Sequence, residues 1–246
     1  MKYNISFVFA IILSAFLLQA CKQETEQVNF QYQYNYFPMN IGKYLVYDVD
    51  SIQININQNF RRDSVHFQFK EMYDSAFTDF LGRKSIRVYQ YRRKDASENW
   101  RYVNTAFVSA EADRIEKVEN NQRFIKLIFP LALRQNWYGN IHIAEQPETW
   151  YMFENGENFW KYKYLSLNTS ETILNMTYDS VATVQQVNSS DSQISKYVSI
   201  EKYATNVGLV QKDQTVLLDD TDPDTSPIEQ RAEKGFWLRM KLIEHN

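Results

Sequence analysis

Any chemistry in this chain of 246 residues would have to come mainly from carboxylates, because other reactive groups are scarce or badly spaced. Asp220, Asp222 and Asp224 lie in the run Asp219-Asp220-Thr221-Asp222-Pro223-Asp224-Thr225-Ser226-Pro227. They match the first three ligand positions of a calcium loop, where alternate carboxylates converge on one hard cation. The match ends there. Thr225 stands where the sharp turn needs glycine, and Arg231 where a bidentate glutamate should close the site. Pro223 and Pro227 stiffen the segment further. The expectation is an acidic, solvated loop, with Asp220, Asp222 and Asp224 an incomplete metal candidate. Glu145, Glu148, Glu154 and Glu157 surround Trp150, Tyr151 and Phe153, a combination that could face a sugar. The same aromatics serve equally well as strand-face packing, which is the expected role. His66, His142 and His245 share no metal-ligand spacing, and the first two fall in candidate strands. There is no Gly-x-Ser-x-Gly, no glycine-rich phosphate loop and no His-Glu-x-x-His. No catalytic residue and no cofactor are therefore assigned, and no enzymatic activity is expected.

The only cysteine is Cys21, and it follows a distinctive segment. Met1-Lys2-Tyr3-Asn4 is a short polar head with one positive charge, Ile5 to Leu18 is apolar except for Ser6 and Ser14, and Leu18-Gln19-Ala20-Cys21 closes the run. A charged head, an apolar stretch and a small residue before the cut describe a secretory signal peptide. A helix of about 14 residues spans about 21 Å, short of the roughly 30 Å hydrocarbon core, so the run suits a cleavable signal better than a permanent anchor. The cysteine after the small residue resembles the lipobox of bacterial lipoproteins, Leu-x-Ala/Gly-Cys. That resemblance implies cleavage before Cys21 and acylation of Cys21, including a palmitate-like chain. Two or more buried acyl chains hold a protein stably on a membrane. Lys22 is not the aspartate that retains such proteins in the inner membrane, so the outer membrane is the expected location. Glu24 and Glu26 resemble a diluted surface-export patch, leaving the periplasmic face and the cell surface both open.

Without residues 1–20, which hold one lysine and no acid, the chain has 26 basic and 30 acidic residues. That weakly acidic balance argues against nucleic acid as a partner, which would need a basic footprint. With Cys21 acylated no thiol remains for a disulfide, so packing alone must stabilise the fold. The 17 Tyr and 16 Phe, with scarce glycine and proline, favour β structure.

The elements that would carry these residues read as strands. After a polar tether at residues 21–31, the aromatic run Tyr32-Gln33-Tyr34-Asn35-Tyr36 leads into a single β-rich domain, 32–246. Lys43 to Asn57 alternates, with Leu45, Tyr47 and Val49 on one parity and Ile52, Ile54 and Ile56 on the other. That switch at Asp50-Ser51 predicts a bulge or corner. Further strands are predicted at Val65 to Phe69, Ser85 to Tyr91, Trp100 to Val103, Arg114 to Val118 and Arg123 to Phe129. The basic segment Arg92 to Asn99 and the tetrapeptide Glu119-Asn120-Asn121-Gln122 read as hairpin loops. Strands continue at Trp137 to Ile143, Thr149 to Phe153, Phe159 to Leu165, Thr172 to Val187, Tyr197 to Tyr203 and Gly235 to Ile243. A short helix fits least badly at Asn168 to Asn175 or Thr221 to Lys234. Arg61-Arg62, Arg83-Lys84 and Arg92-Arg93-Lys94 read as solvated loop charges.

Several pieces of this pattern resemble a group of uncharacterised Bacteroidetes-type envelope lipoproteins. They are Tyr36-Phe37-Pro38-Met39-Asn40-Ile41-Gly42 with Tyr44 and Tyr47, then Phe129-Pro130-Leu131 with Trp137. Tyr203-Ala204-Thr205-Asn206-Val207-Gly208-Leu209-Val210 and the closing Gly235-Phe236 strand complete the set. The resemblance implies a mainly β fold: a single curved antiparallel sheet or half-barrel, akin to LolA-like lipoprotein carriers, with a short helix at most. The resulting expectation is a membrane-anchored, non-catalytic binding or assembly component with an envelope protein or an apolar ligand as partner. A carrier of lipid, and a carbohydrate-active or other hydrolytic enzyme, are the alternatives.

The acidic loop yields a first test. Three monodentate carboxylates fall short of the six to eight oxygens calcium takes. Thermal unfolding in millimolar calcium should match that in chelator. A rise of several degrees that vanishes in Asp220→Asn/Asp222→Asn would make the loop a metal site.

Overall fold

A computed structural model of the chain describes residues 34–55, 61–143, 160–189, 194–219 and 226–246. Alternating apolar and polar residues build twelve strands among them, all in one antiparallel sheet. They are β1 (Tyr44–Asn55), β2 (Arg61–Thr78), β3 (Lys84–Arg93), β4 (Arg101–Ala110), β5 (Arg114–Glu119) and β6 (Gln122–Ile128), followed by β7 (Asn136–Tyr138), β8 (Lys161–Ile173), β9 (Met176–Ser189), β10 (Ser195–Ala204), β11 (Gly208–Leu218) and β12 (Lys234–His245). A single-turn helix, α1 (Ile228–Arg231), precedes β12. The sheet order is β6-β5-β4-β3-β2-β1-β12-β11-β10-β9-β8-β7. Each strand thus lies beside its neighbour in sequence, and the first and last strands pair over most of their length, Leu45 opposite His245 to Ile54 opposite Gly235.

Pairing β1 with β12 leaves β6 and β7 as the two edges, and the sheet curls until they meet. It passes the half-barrel expected from sequence and is a nearly closed barrel. Among the described residues, four hydrogen bonds join β6 to the other side of the seam. Ile125 N–H donates to Gly139 O at 2.7 Å, and Trp137 Nε1–H donates to Ile125 O at 2.9 Å. Tyr164 Oη donates to Ile128 O at 2.7 Å and accepts from Ile128 N–H at 3.0 Å. Near-closure disposes of the exposed strand edge, which otherwise invites pairing with another chain.

The segment before β1 closes one end of the barrel. Tyr36 and Phe37 are buried there, with Phe37 5.8 Å from Tyr203 and Tyr34 4.7 Å from Phe129 between ring centroids. Asn206 N–H donates to Asn35 O at 2.7 Å, and Gly42 N–H to Tyr73 O at 2.8 Å. The opposite end carries the β5–β6 turn, where Asn120 (φ 51°) and Asn121 (φ 62°) make the two-residue hairpin the sequence signalled.

Four strand-level expectations change. β1 has no bulge at Asp50-Ser51, and its pairing with β2 runs unbroken from Tyr44 opposite Met72 to Asn55 opposite Arg61. The parity of apolar residues switches because the faces exchange roles. Ile54 packs outside against Leu217, Ala232 and Ile228, while Ser51 and Gln53 face the interior. The strand expected at Trp137 to Ile143 stops at Tyr138 and continues as turns, so His142 is not a strand residue. Asn168 to Asn175 is not helical: it carries β8 to Ile173 and the turn at Leu174 and Asn175. That turn also splits the strand expected at Thr172 to Val187 between β8 and β9. Of the other helix candidate, Ile228–Arg231 is helical. The predicted strand at Thr149 to Phe153 lies outside the described residues, as do Ile56 and residues 1–31.

The seam predicts a sensitive position. A Cβ on Gly139 would lie 2.2 Å from Tyr162 Cε2, so the ring would have to leave its place. Gly139→Ala should cost about 1–3 kcal/mol, the usual range for overpacking, read from urea unfolding. An unchanged midpoint would show that the seam yields freely.

Candidate functional site

The barrel interior is polar at mid-height, which no single strand announces. On β10 the inward positions are Tyr197, Ser199, Glu201 and Tyr203, all buried. On β11 Lys212 and Gln214 face inward between buried Val210 and Val216. Cross-strand pairing stacks these residues in levels around the wall. Ser199, Gln214, Leu238 and Ser51 are successive partners at one level, and Glu201, Lys212, Met240 and Val49 at the next.

A twelve-stranded wall encloses more space than its side chains fill. Two adjoining chambers of about 380 and 470 Å³ occupy it. They share Glu119, Asn120, Lys126 and Lys212 in their linings. Phe37 lies at the closed end of the first, whereas exposed Gln53 and Asn120 mark where the chambers reach solvent.

The charged lining of the first chamber is Glu71, Glu119 and Glu201 with Lys117, Lys126 and Lys212, so it sums to zero. Lys117 Nζ donates to Glu71 Oε1 at 2.6 Å and also bonds Glu119 Oε1. Gln90 Nε2 donates to Glu71 Oε1 at 2.8 Å. Lys126 Nζ donates to Glu201 Oε1 at 2.7 Å, Tyr203 Oη donates to Glu201 Oε2 at 2.5 Å, and Lys212 Nζ stands 3.5 Å from Glu201 Oε1.

Burial works against the charges of Glu119, Glu201, Lys117 and Lys126, and the partners decide the outcome. It pushes the Glu201 carboxyl up, but Lys126 and Lys212 outweigh it and hold the pKa below the usual carboxylate range. Glu119 is likewise raised by burial and lowered on balance by Lys117, Lys126 and Lys212. For Lys117, burial lowers the ammonium pKa, while Glu119 and Glu71 carry it above the ordinary value. Lys126 goes the other way: burial dominates, and nearby Lys212 adds to the fall that Glu201 only partly offsets. Glu201 therefore gains more from the pair than Lys126 does, because it has two cations to Lys126's one close carboxylate. Burial first, and then the Glu201 charge, push the Tyr203 phenol well above its usual value, so it donates as a neutral hydroxyl.

None of these six charged residues stands out as a site in the sequence, where Glu119 reads only as part of a hairpin loop. The residues that did stand out lie elsewhere. Cys21, the calcium-like Asp220, Asp222 and Asp224, and the acidic-aromatic stretch Glu145 to Glu157 fall outside the described residues. Asp219 is buried and ion-paired with Arg231. His66 is exposed and bridges Asp50 (2.9 Å) and Asp48 (3.2 Å), and its pKa is raised chiefly by the Asp50 hydrogen bond. His142 Nε2 lies 3.8 Å from Glu116 Oε1.

None of the three basic pairs is merely solvated: Arg62 donates to Glu229 O at 2.6 Å and to Gln230 O at 2.9 Å. Arg83 bonds Asp79, Glu111 and Glu116, and the fully buried Glu116 is also held by Arg114 at 2.9 Å and Arg123 at 2.6 Å. Arg92 lies 3.8 Å from the Phe67 ring centroid, and Arg93 lies 4.2 Å from that of Trp100.

Fold and interior together define a nearly closed, twelve-stranded meander barrel with a neutral but charge-rich interior. No protein-family profile and no curated protein matches the chain. Two solved structures are similar to it. One is a protein of Parabacteroides distasonis ATCC 8503, provisionally described as a lipoprotein, at 13% identity and a TM-score of 0.36, covering 86% of this chain and 98% of that one. The other, from Bacteroides fragilis NCTC 9343, is provisionally described as an exported protein with a YmcC-like fold. It is 11% identical with a TM-score of 0.36 and covers 85% of this chain and 98% of its own. At that TM-score the likeness carries no argument about fold or function here.

The ion pairs predict a pH dependence. The folded-state pKa values of Glu119 and Glu201 lie below the ordinary 4.5. Their ionised forms thus favour the folded state fully above that value, and the contribution is lost as pH falls from about 4.5 towards 2. Urea midpoints should decline over that window. Glu201→Gln should flatten part of the decline and, at neutral pH, cost about 3–5 kcal/mol by leaving two ammonium groups without their carboxylate. An unaltered pH profile in this variant would show that Glu201 is not held ionised by its lysines.

Proposed function

We propose that this protein is a lipid-anchored component of the bacterial envelope, held on the outer membrane through acylated Cys21, that binds a small polar ligand inside its barrel without transforming it. The supporting observation is the pair of chambers, about 380 and 470 Å³, in which paired charges and amides are set among aromatic and aliphatic side chains, reaching solvent at one end. Binding sites for small molecules commonly have this size. The anchor rests on the Leu18-Gln19-Ala20-Cys21 sequence.

The composition of the lining favours binding over the two alternatives. An apolar ligand would set hydrocarbon beside Glu71, Lys117, Lys126 and Glu201 and offer nothing to the hydrogen-bonding capacity their pairing leaves over. A hydrolase working through carboxylates needs one acid whose pKa is raised towards neutrality. Glu119 and Glu201 are shifted the opposite way, and both are engaged by lysines.

Two measurements on the full-length protein test this reading. In cell fractionation, wild type should partition with membranes and Cys21→Ser should become soluble; retention of the variant on the membrane would refute the anchor. In detergent, thermal unfolding across a set of small polar solutes should find a stabilising class. A ligand at a hundred times its Kd contributes about 2.7 kcal/mol to the native state. Turnover of the stabilising solute would replace binding with catalysis.

A further inference from the structure

The larger chamber differs from the smaller one in how its polar groups are used. In the smaller chamber the charged groups bond mainly to one another. In the larger chamber Gln214 lies on β11 with 6% of its surface exposed, and among the described residues its side-chain amide has no hydrogen-bond partner. Gln186, on β9 and 3% exposed, accepts from Ser199 Oγ at 2.6 Å through Oε1, and its Nε2 has no partner among the described residues. Ser51, at the same level as Gln214, and Gln53 make only a long contact with each other, 3.4 Å. Among the described residues the fully buried polar atom of this chamber without a partner is Trp160 Nε1, while the Gln186 and Gln214 amides keep contact with the open space and can bond a partner brought into it from outside.

That partner can be described from what the groups offer. Primary amides and hydroxyls each donate and accept, which matches a ligand whose own groups do both. The charges nearby are already balanced by Glu201 and Lys117, so the lining has no net charge for an ion to neutralise. Trp160 and Phe236 supply aromatic surface in the same chamber, suited to the C–H faces of a ring that carries hydroxyls at its edge. Building on the small-polar-ligand reading above, we infer that the larger chamber is a binding site for a neutral saccharide of one or two rings, held at its hydroxyls by Gln186, Gln214 and Ser51.

The test is calorimetric titration of the full-length protein in detergent with glucose, galactose, N-acetylglucosamine and maltose, beside glycylglycine, succinate and inorganic phosphate. At least one of the four sugars should bind, and Gln214→Leu and Gln186→Leu should each weaken it about tenfold. Gln214 has no partner to lose, so Gln214→Leu should unfold at the wild-type temperature without sugar. Should it fail to fold, Gln214→Asn, which keeps the amide but shortens its reach, should weaken the sugar in the same direction. Sugars bound equally by wild type and both glutamine variants would overturn the site. Binding of glycylglycine, succinate or phosphate in place of sugar would overturn the ligand class while leaving a polar ligand in the barrel. If no compound in the set binds, the saccharide assignment falls, and the broader solute screen by thermal unfolding then decides the polar-ligand reading separately.

Discussion

The interior of this barrel depends on charge neutrality. Glu71, Glu119 and Glu201 face Lys117, Lys126 and Lys212 in a space that the wall removes largely from bulk water. A buried charge without a partner is severely unfavourable, which holds for Glu71, Lys117, Lys126 and Glu201, while Glu119 and Lys212 are half-buried beside them. The pairs also cross the barrel. Lys117 on β5 reaches Glu71 on β2, and Lys126 on β6 reaches Glu201 on β10. Strands far apart in the sheet are thereby tied through its centre, on both sides of the β1–β12 pairing that unites the chain ends.

Buried ion pairs rarely stabilise a fold more than well-packed apolar side chains of similar volume. Their value here lies in what they permit. An apolar filling at the same level would collapse the space or leave it dry, whereas paired charges and amides keep it open and hydrated. Around that level the fold is conventionally apolar. Leu45, Tyr47, Val49, Leu242 and Val210 pack beside it, and the Tyr36-Phe37 segment closes the end below. The polar belt is thus confined between an aromatic base and an open rim.

Outside the barrel the buried acid Glu116 follows the same rule with arginines in place of lysines. Arg83, Arg114 and Arg123 converge on it, and Arg83 also holds Asp79 and Glu111 across the β2–β3 and β4–β5 turns. Planar guanidinium groups with several donors can serve two or three carboxylates at once, which single ammonium groups do less well. This cluster secures turns, while the lysine-glutamate set shapes a cavity.

Much of the architecture was legible in the chain itself. Period-two alternation located most of the strands, Asn120-Asn121 marked a hairpin that has both positive φ angles, and aromatic richness with few glycines pointed to a β fold. Which parity faces inward was not legible, because alternation is symmetric: Tyr197, Ser199, Glu201 and Tyr203 could have faced either way. In β1 the apolar parity even changes sides, since Ile54 is covered from outside by Leu217, Ala232 and Ile228. Those covering residues come from β11 and the segment around α1, more than 160 positions along the chain. Local pattern therefore determined the strands and their turns, while closure of the sheet decided that its lysines and glutamates meet inside, because only curvature brings β2, β5, β6, β10 and β11 around one space.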